Sequence, residues 1–87
     1  MKTQYRGILF RPQKGTWRAK IYYEGRSVWL GSCKDPKDAA HLYDAAARYL
    51  HRADAVLNFP EELPPLTARA RVAAKLIQRG LLKAAKG

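Results

Sequence analysis

Acidic side chains are scarce in this chain: seven Asp and Glu stand against seventeen Lys and Arg, for a formal charge of +10. Cysteine is nearly absent. The single Cys33 excludes an internal disulfide framework and a cysteine-built zinc site, and it suits a reducing compartment. No run of eighteen apolar residues occurs, so no membrane-spanning helix and no membrane partner are expected. The opening MKTQYRGILF lacks the apolar stretch of a secretory signal. His41 and His51 have no cysteine or carboxylate at metal-ligand spacing, so no metal or other cofactor is expected. Gly15-Thr16 lacks the spacing of a phosphate-binding P-loop. Ser32, His41 and Asp44 could be combined into a triad on paper. The expected helix puts His41 and Asp44 on its own surface with no pocket implied, so neither an enzyme nor a small-molecule substrate is expected.

What is present is positive charge, and it is unevenly placed. Residues 1–34 carry eight basic side chains and one acid, residues 35–60 three against four, and residues 61–87 six against two. The field therefore comes from the two ends, with a neutral middle. The N-terminal block interleaves arginine and lysine with aromatics, which suits a polyanionic partner better than general solubility does.

The N-terminal block also reads as strands. Residues 16–23 (TWRAKIYY) alternate cleanly: Trp17, Ala19, Ile21 and Tyr23 point one way, and Arg18, Lys20 and Tyr22 the other. After a Glu24-Gly25 turn, residues 26–32 put Val28 and Leu30 on one face and Ser27 and Trp29 on the opposite one. Residues 5–10 (YRGILF) form a first strand with Gly7 as a candidate bulge, ending at Arg11-Pro12 before a Gln13-Lys14-Gly15 turn. Asp35-Pro36 has the form of a helix start, with Asp as N-cap and proline in the first turn. Ala39, Ala40, Tyr43, Ala46, Ala47 and Leu50 then make one stripe, small enough to bring a helix close to a sheet, in a helix running to about Arg52. Val56, Leu57 and Phe59 are suited to tucking against the core edge. Residues 67–79 form a second helix, with Ala70, Ala73, Leu76 and Ile77 inward and Gly80 as its C-terminal cap.

The expected fold is α+β: a three-stranded antiparallel sheet packed on one long helix, with a C-terminal helical extension. With one face covered, the other is left carrying Arg18, Lys20, Tyr22, Ser27 and Trp29. An exposed tryptophan among cations implies a partner, and the major groove of B-DNA, about 12 Å wide, admits a narrow sheet.

Five segments, in order, carry a resemblance over about two-thirds of the chain. They are Tyr5-Arg6-Gly7, Arg11-Pro12, Val28-Trp29-Leu30-Gly31, the Ala- and Tyr-Asp-rich run at 39–47, and AVLNFP at 55–60. Together they resemble the DNA-binding domain of the plant APETALA-two/ethylene-response-factor transcription factors. The resemblance implies a sheet that enters the major groove. It implies DNA contacts at Arg6, Gly7, Arg11 and Trp29, and a phosphate contact from Tyr43. Together with the uncovered face and the first turn, this makes Gln13, Lys14, Arg18, Lys20, Tyr22 and Ser27 interface candidates as well, for a full set of eleven candidate residues. Several depart from the family pattern. Leu9, Tyr22 and Ser27 stand where arginines are usual, Gln13 where a tryptophan commonly follows, and Lys20 where a glutamate is common. The turn before Trp17 holds one extra residue. A GC-rich target therefore does not transfer, and a site with more A·T character is expected.

Two units are expected: residues 4–60 as the DNA-binding domain and residues 61–87 as a linker and basic helix. The basic helix either packs back on the domain or grips flanking phosphates through Arg69, Arg71, Lys75, Arg79 and Lys83. The expected partner is double-stranded DNA, bound by a monomer in the nucleus. An RNA-binding ribonucleoprotein component, or the targeting module of a nuclease or integrase, are the alternatives.

Overall fold

A computed structural model describes residues 5–82; Gln4 and Lys83, included in the expected units, lie outside the described residues. The chain runs β1 (Ile8–Arg11), β2 (Thr16–Tyr23), β3 (Arg26–Cys33), α1 (Pro36–Leu50), a 3-10 turn (Arg52–Asp54) and α2 (Leu66–Gln78). The three strands form one antiparallel sheet in the order β1-β2-β3.

Both hairpins follow from local chemistry. At the first, the Arg11 carbonyl accepts from the Lys14 and Gly15 amides at 3.1 and 2.8 Å, and Gly15 takes the left-handed conformation that closes the loop. At the second, Glu24 (φ 51°) and Gly25 (φ 80°) are both left-handed, which matches the strand twist of a two-residue turn. The first strand is shorter than its sequence suggests. Gly7 has φ 78° and interrupts the extended chain, so β1 begins at Ile8, although the Gly7 carbonyl still accepts from Lys20 N at 2.8 Å.

The inner face of the sheet carries Ile8, Trp17, Ala19, Ile21, Val28 and Leu30, all buried against α1. A β-bulge interrupts the β2–β3 register: Ala19 pairs with Gly31 and Lys20 with Trp29, leaving Leu30 as the additional residue of β3. Beyond it the alternation of β3 reverses. Ser32, inward by simple alternation, pairs with Arg18 on the outer face, and Cys33 pairs with Trp17 on the inner one.

Asp35 caps α1 by accepting from Lys37 N at 2.8 Å, with Pro36 in the first turn, as read from the sequence. The helix stops at Leu50 rather than near Arg52, because Arg52 adopts φ 53° and opens the 3-10 turn. Of the expected stripe, the four alanines are buried while Tyr43 and Leu50 are half-buried. His41, Leu42, Asp44 and Ala45 are buried as well, so His41 and Asp44 are not surface residues. The reason is a second cover: α2 packs on α1, and the 58–62 segment closes over His41 and Asp44, with the Phe59 ring 4.8 Å from that of His41 and the Asn58 and Phe59 amides on Asp44.

α2 starts at Leu66 and uses a different seam from the expected one. Ala68, Val72 and Leu76 are buried, whereas Ala70 is exposed and Ile77 is 37% exposed. Four-residue spacing along a single row suits a helix lying against another helix. Its end was legible: the Gly80 amide donates to Ile77 O and the Leu81 amide to Leu76 O, the two bonds of a Schellman cap with Gly80 left-handed. Leu57 and Phe59 pack against the core, but Val56 is 57% exposed.

Candidate nucleic-acid interface

Strand alternation puts a lattice of side chains on the outer face. Across the strands it reads Arg11 and Thr16, then Leu9, Arg18 and Ser32, then Lys20 and Trp29, then Tyr22 and Ser27. Among the described residues no helix packs on this side, and Leu9, Tyr22, Ser27 and Ser32 are exposed. None of the three strands contains a carboxylate.

Trp29 is the centre of this face. The Arg18 guanidinium lies 3.7 Å from its ring centroid, and the Lys20 ammonium 5.3 Å. Cation–π contacts at exposed sites contribute about 0.5–1 kcal/mol each. The ring therefore holds two cations beside each other, although no carboxylate among the described residues pairs with either. That arrangement presents a flat apolar group and two donors together.

A second group forms beside β1. Asn58 clamps the Arg6 backbone from both sides: its Oδ1 accepts from Arg6 N at 2.6 Å, and its Nδ2 donates to Arg6 O at 3.2 Å. The clamp is itself anchored by Asp44, whose two carboxylate oxygens accept from the Asn58 and Phe59 amides at 2.8 Å each. Fully buried Asp44 thus fixes the loop that fixes Arg6, and the exposed Arg6 side chain leaves from a rigid base.

Gly7 lies under the Tyr43 ring. A Cβ there would clash with the edge of that ring and lie 2.7 Å from the Lys20 carbonyl, so the position tolerates only glycine. Burial pushes the Tyr43 phenol above its ordinary range, with Arg6 pulling it down and Asp44 pushing it up. Its hydroxyl therefore keeps its proton at neutral pH and remains a donor.

The structure brings Arg18, Lys20, Tyr22, Ser27 and Trp29 together on one face, with Arg11 at its β1 side. Arg6, Gly7 and Tyr43 gather beside it, and Gln13 and Lys14 sit exposed on the first hairpin turn. Three residues were not assigned to this surface or its support from the sequence. Ser32 reaches the face only through the bulge. Asn58 and Asp44 act through contacts 52 and 14 residues apart in the chain. The imagined triad does not assemble: Ser32 is on the outer face, Asp44 is occupied by two amides, and His41 Nε2 lies 3.9 Å from Glu62. No group of three His, Cys, Asp or Glu among the described residues is placed to hold a metal ion.

A sheet closed on one side by helices, with cations and aromatics and no carboxylate on the other, has the make-up of a basic nucleic-acid-binding domain. No protein-family model matches the chain. Curated plant proteins do. The AP2/ERF and B3 domain-containing transcription factor RAV1 of Arabidopsis thaliana is 39% identical over 59 residues, covering 68% of this chain and 17% of that protein. The ethylene-responsive transcription factor ERF010 of the same plant is 45% identical over 62 residues, 69% of this chain and 33% of that protein. Ethylene-responsive transcription factor ERF018, also from Arabidopsis, is 32% identical over 80 residues, 90% of this chain and 40% of that protein. The chain belongs to the AP2/ERF family, as a divergent member of that class of DNA-binding domain. It spans 17–40% of the length of these relatives, all of which are named as transcription factors rather than enzymes.

Proposed function

We propose that the chain binds double-stranded DNA sequence-specifically by laying the outer face of its sheet into the major groove. It does so as a monomer and as the DNA-binding part of a nuclear transcription factor. The observation that carries this reading is the Trp29 platform with Arg18 and Lys20 on a sheet face that no helix among the described residues covers. Three strands at roughly 4.8 Å spacing measure about 10 Å across, which fits a groove about 12 Å wide. In that pose Arg18 and Lys20 reach guanine edges or phosphates. Arg6, Arg11, Lys14 and the Tyr43 hydroxyl serve the backbone, and Gly7 lets that backbone approach closely.

The departures from the family pattern shape the target. Leu9 is 48% exposed and has no donor, so the base-edge group it can satisfy is the thymine methyl. Tyr22, 64% exposed opposite Ser27, offers a ring and a hydroxyl in place of a guanidinium. Both favour A·T pairs under β1 and the second hairpin over a run of G·C.

Selection of bound sequences from random duplexes tests the proposal, followed by competition against scrambled DNA and duplex RNA. The expected outcome is one motif containing A·T pairs, bound at about nanomolar affinity and little affected by RNA, whose deep, narrow major groove excludes a sheet. Equal affinity for scrambled DNA would contradict sequence-specific reading. A motif made only of G·C pairs would contradict the roles of Leu9 and Tyr22.

A further inference from the structure

β3 is an edge strand with β2 on one side only. Its own sequence leaves the middle of its free rim without charge: Arg26 opens the strand, Lys34 follows it, and no charged residue lies between them. α2 supplies the missing cation. Arg71 Nη2 lies 3.4 Å from the Ser32 carbonyl, and Nη1 lies 3.7 Å from Cys33 Sγ. Room for it comes from Gly31, where a Cβ would sit 2.8 Å from Arg71 Nη2.

This is a weak hold on a strong donor. Both acceptors are neutral and both contacts are long, whereas a guanidinium carries five N–H groups. Among the described residues no carboxylate lies within ion-pair distance of Arg71. Two other arginines differ: Arg69 Nε donates to Pro64 O at 3.1 Å in a half-buried position, and Arg48 donates to Glu62 O. Arg71 is exposed, yet it lies within α2 and the next residue, Val72, is fully buried, so its backbone is anchored to the core. A cation carried on a fixed backbone, weakly engaged and lacking a counter-charge, is suited to a phosphate oxygen, with which charge-assisted bonds are shorter and stronger.

We propose that Arg71 contacts a DNA phosphate at the β3 rim, which makes α2 part of the interface as well as a buttress for α1. The proposal rests on the duplex reading above. A sheet about 10 Å across in a groove about 12 Å wide brings both rims against the phosphate walls. The β1 side meets its wall with Arg6 and Arg11. The β3 side meets the other with Arg26, Lys34 and Arg71, the last from outside the 5–60 segment that carries the family resemblance.

The test compares the full chain with Arg71→Gln, which keeps a donor for Ser32 but loses the charge, and Arg71→Lys, which keeps the charge. Affinity for the selected duplex and for a scrambled one is followed as a function of salt, with the melting temperature measured beside it. For Arg71→Gln the slope of log affinity against log salt should fall by about 0.9, and both duplexes should weaken by the same factor, roughly eightfold near 0.1 M salt. Arg71→Lys should retain the wild-type slope. Arg71→Met, which keeps the alkyl stem, replaces the glutamine variant if that one melts below the binding temperature. A wild-type slope in the uncharged variants, whatever their stability, overturns the role of Arg71 and leaves the sheet reading intact. Absence of salt-dependent duplex binding in the wild type overturns both.

Discussion

The two faces of the sheet are built from the same strands and carry opposite chemistry. Inward, Ala19, Ile21, Val28 and Leu30 are at most 2% exposed and meet alanines of α1. Outward, alternating with them, Arg18, Lys20 and Trp29 are only half-buried and touch one another rather than a core. One tryptophan lies on each: Trp17 is 8% exposed and packs at 4.7 Å against Phe10, while Trp29 is a platform for cations. On the proposed function, the difference is how one sheet combines a fold and a reading surface. The inner row supplies stability, and the outer row is relieved of that task. Substitutions should therefore separate cleanly into those that melt the domain and those that blind it.

The largest effect expected is on the inner row. Leu30→Ala should lower stability by about 2–5 kcal/mol, read as a drop in thermal or urea midpoint, while the remaining folded protein keeps its salt slope on DNA. A variant that stayed as stable as the wild type would break the division of labour.

Asp44→Ala should come next and is the instructive exception, because Asp44 belongs to the core and supports the interface. Losing the acceptor of two backbone amides should cost about 2–3 kcal/mol. It should also free the Asn58 clamp on Arg6. Stability and specific affinity should fall together, and a fall in stability alone would show that Arg6 does not need its clamp.

On the outer row, Trp29→Ala removes the platform under Arg18 and Lys20. It should weaken specific binding roughly tenfold, consistent with about 1–2 kcal/mol for a lost aromatic and cation–π contact, with little change in melting temperature. Equilibrium titration with the selected duplex measures it. The smallest effect sharpens the comparison furthest. Replacing by deoxyuridine the thymine whose methyl meets Leu9 should cost the wild type roughly fourfold, the worth of one buried methyl-sized group, and should cost Leu9→Ala nothing. Equal sensitivity in both proteins would remove Leu9 from base reading.

Much of this division is written in local sequence. The TWRAKIYY alternation is legible because each strand residue commits to one face, and Asp35-Pro36 and Gly80 mark helix ends by chemistry confined to a turn. The parts that were not legible depend on distant partners. His41 and Asp44 belong to the interior because the 58–62 segment folds back over them: the Phe59 ring packs on His41, and the Asn58 and Phe59 amides occupy Asp44. The seam of α2 was misplaced because its alanine-rich sequence offers several apolar stripes, and contact with α1 selects among them. The outer face was read correctly up to Gly31. There the bulge turns Ser32 outward, a shift set by pairing with β2 that periodicity within β3 cannot show.

The two tryptophans offer the most direct test that the uncovered sheet face is the one that meets DNA. In an NMR titration of the labelled chain with its selected duplex, the Trp29 indole N–H and the amides of Arg18, Lys20 and Tyr22 should shift strongly, while the Trp17 indole stays in place. A Trp29 indole that does not move while resonances on the helical side shift would mean that nucleic acid docks elsewhere.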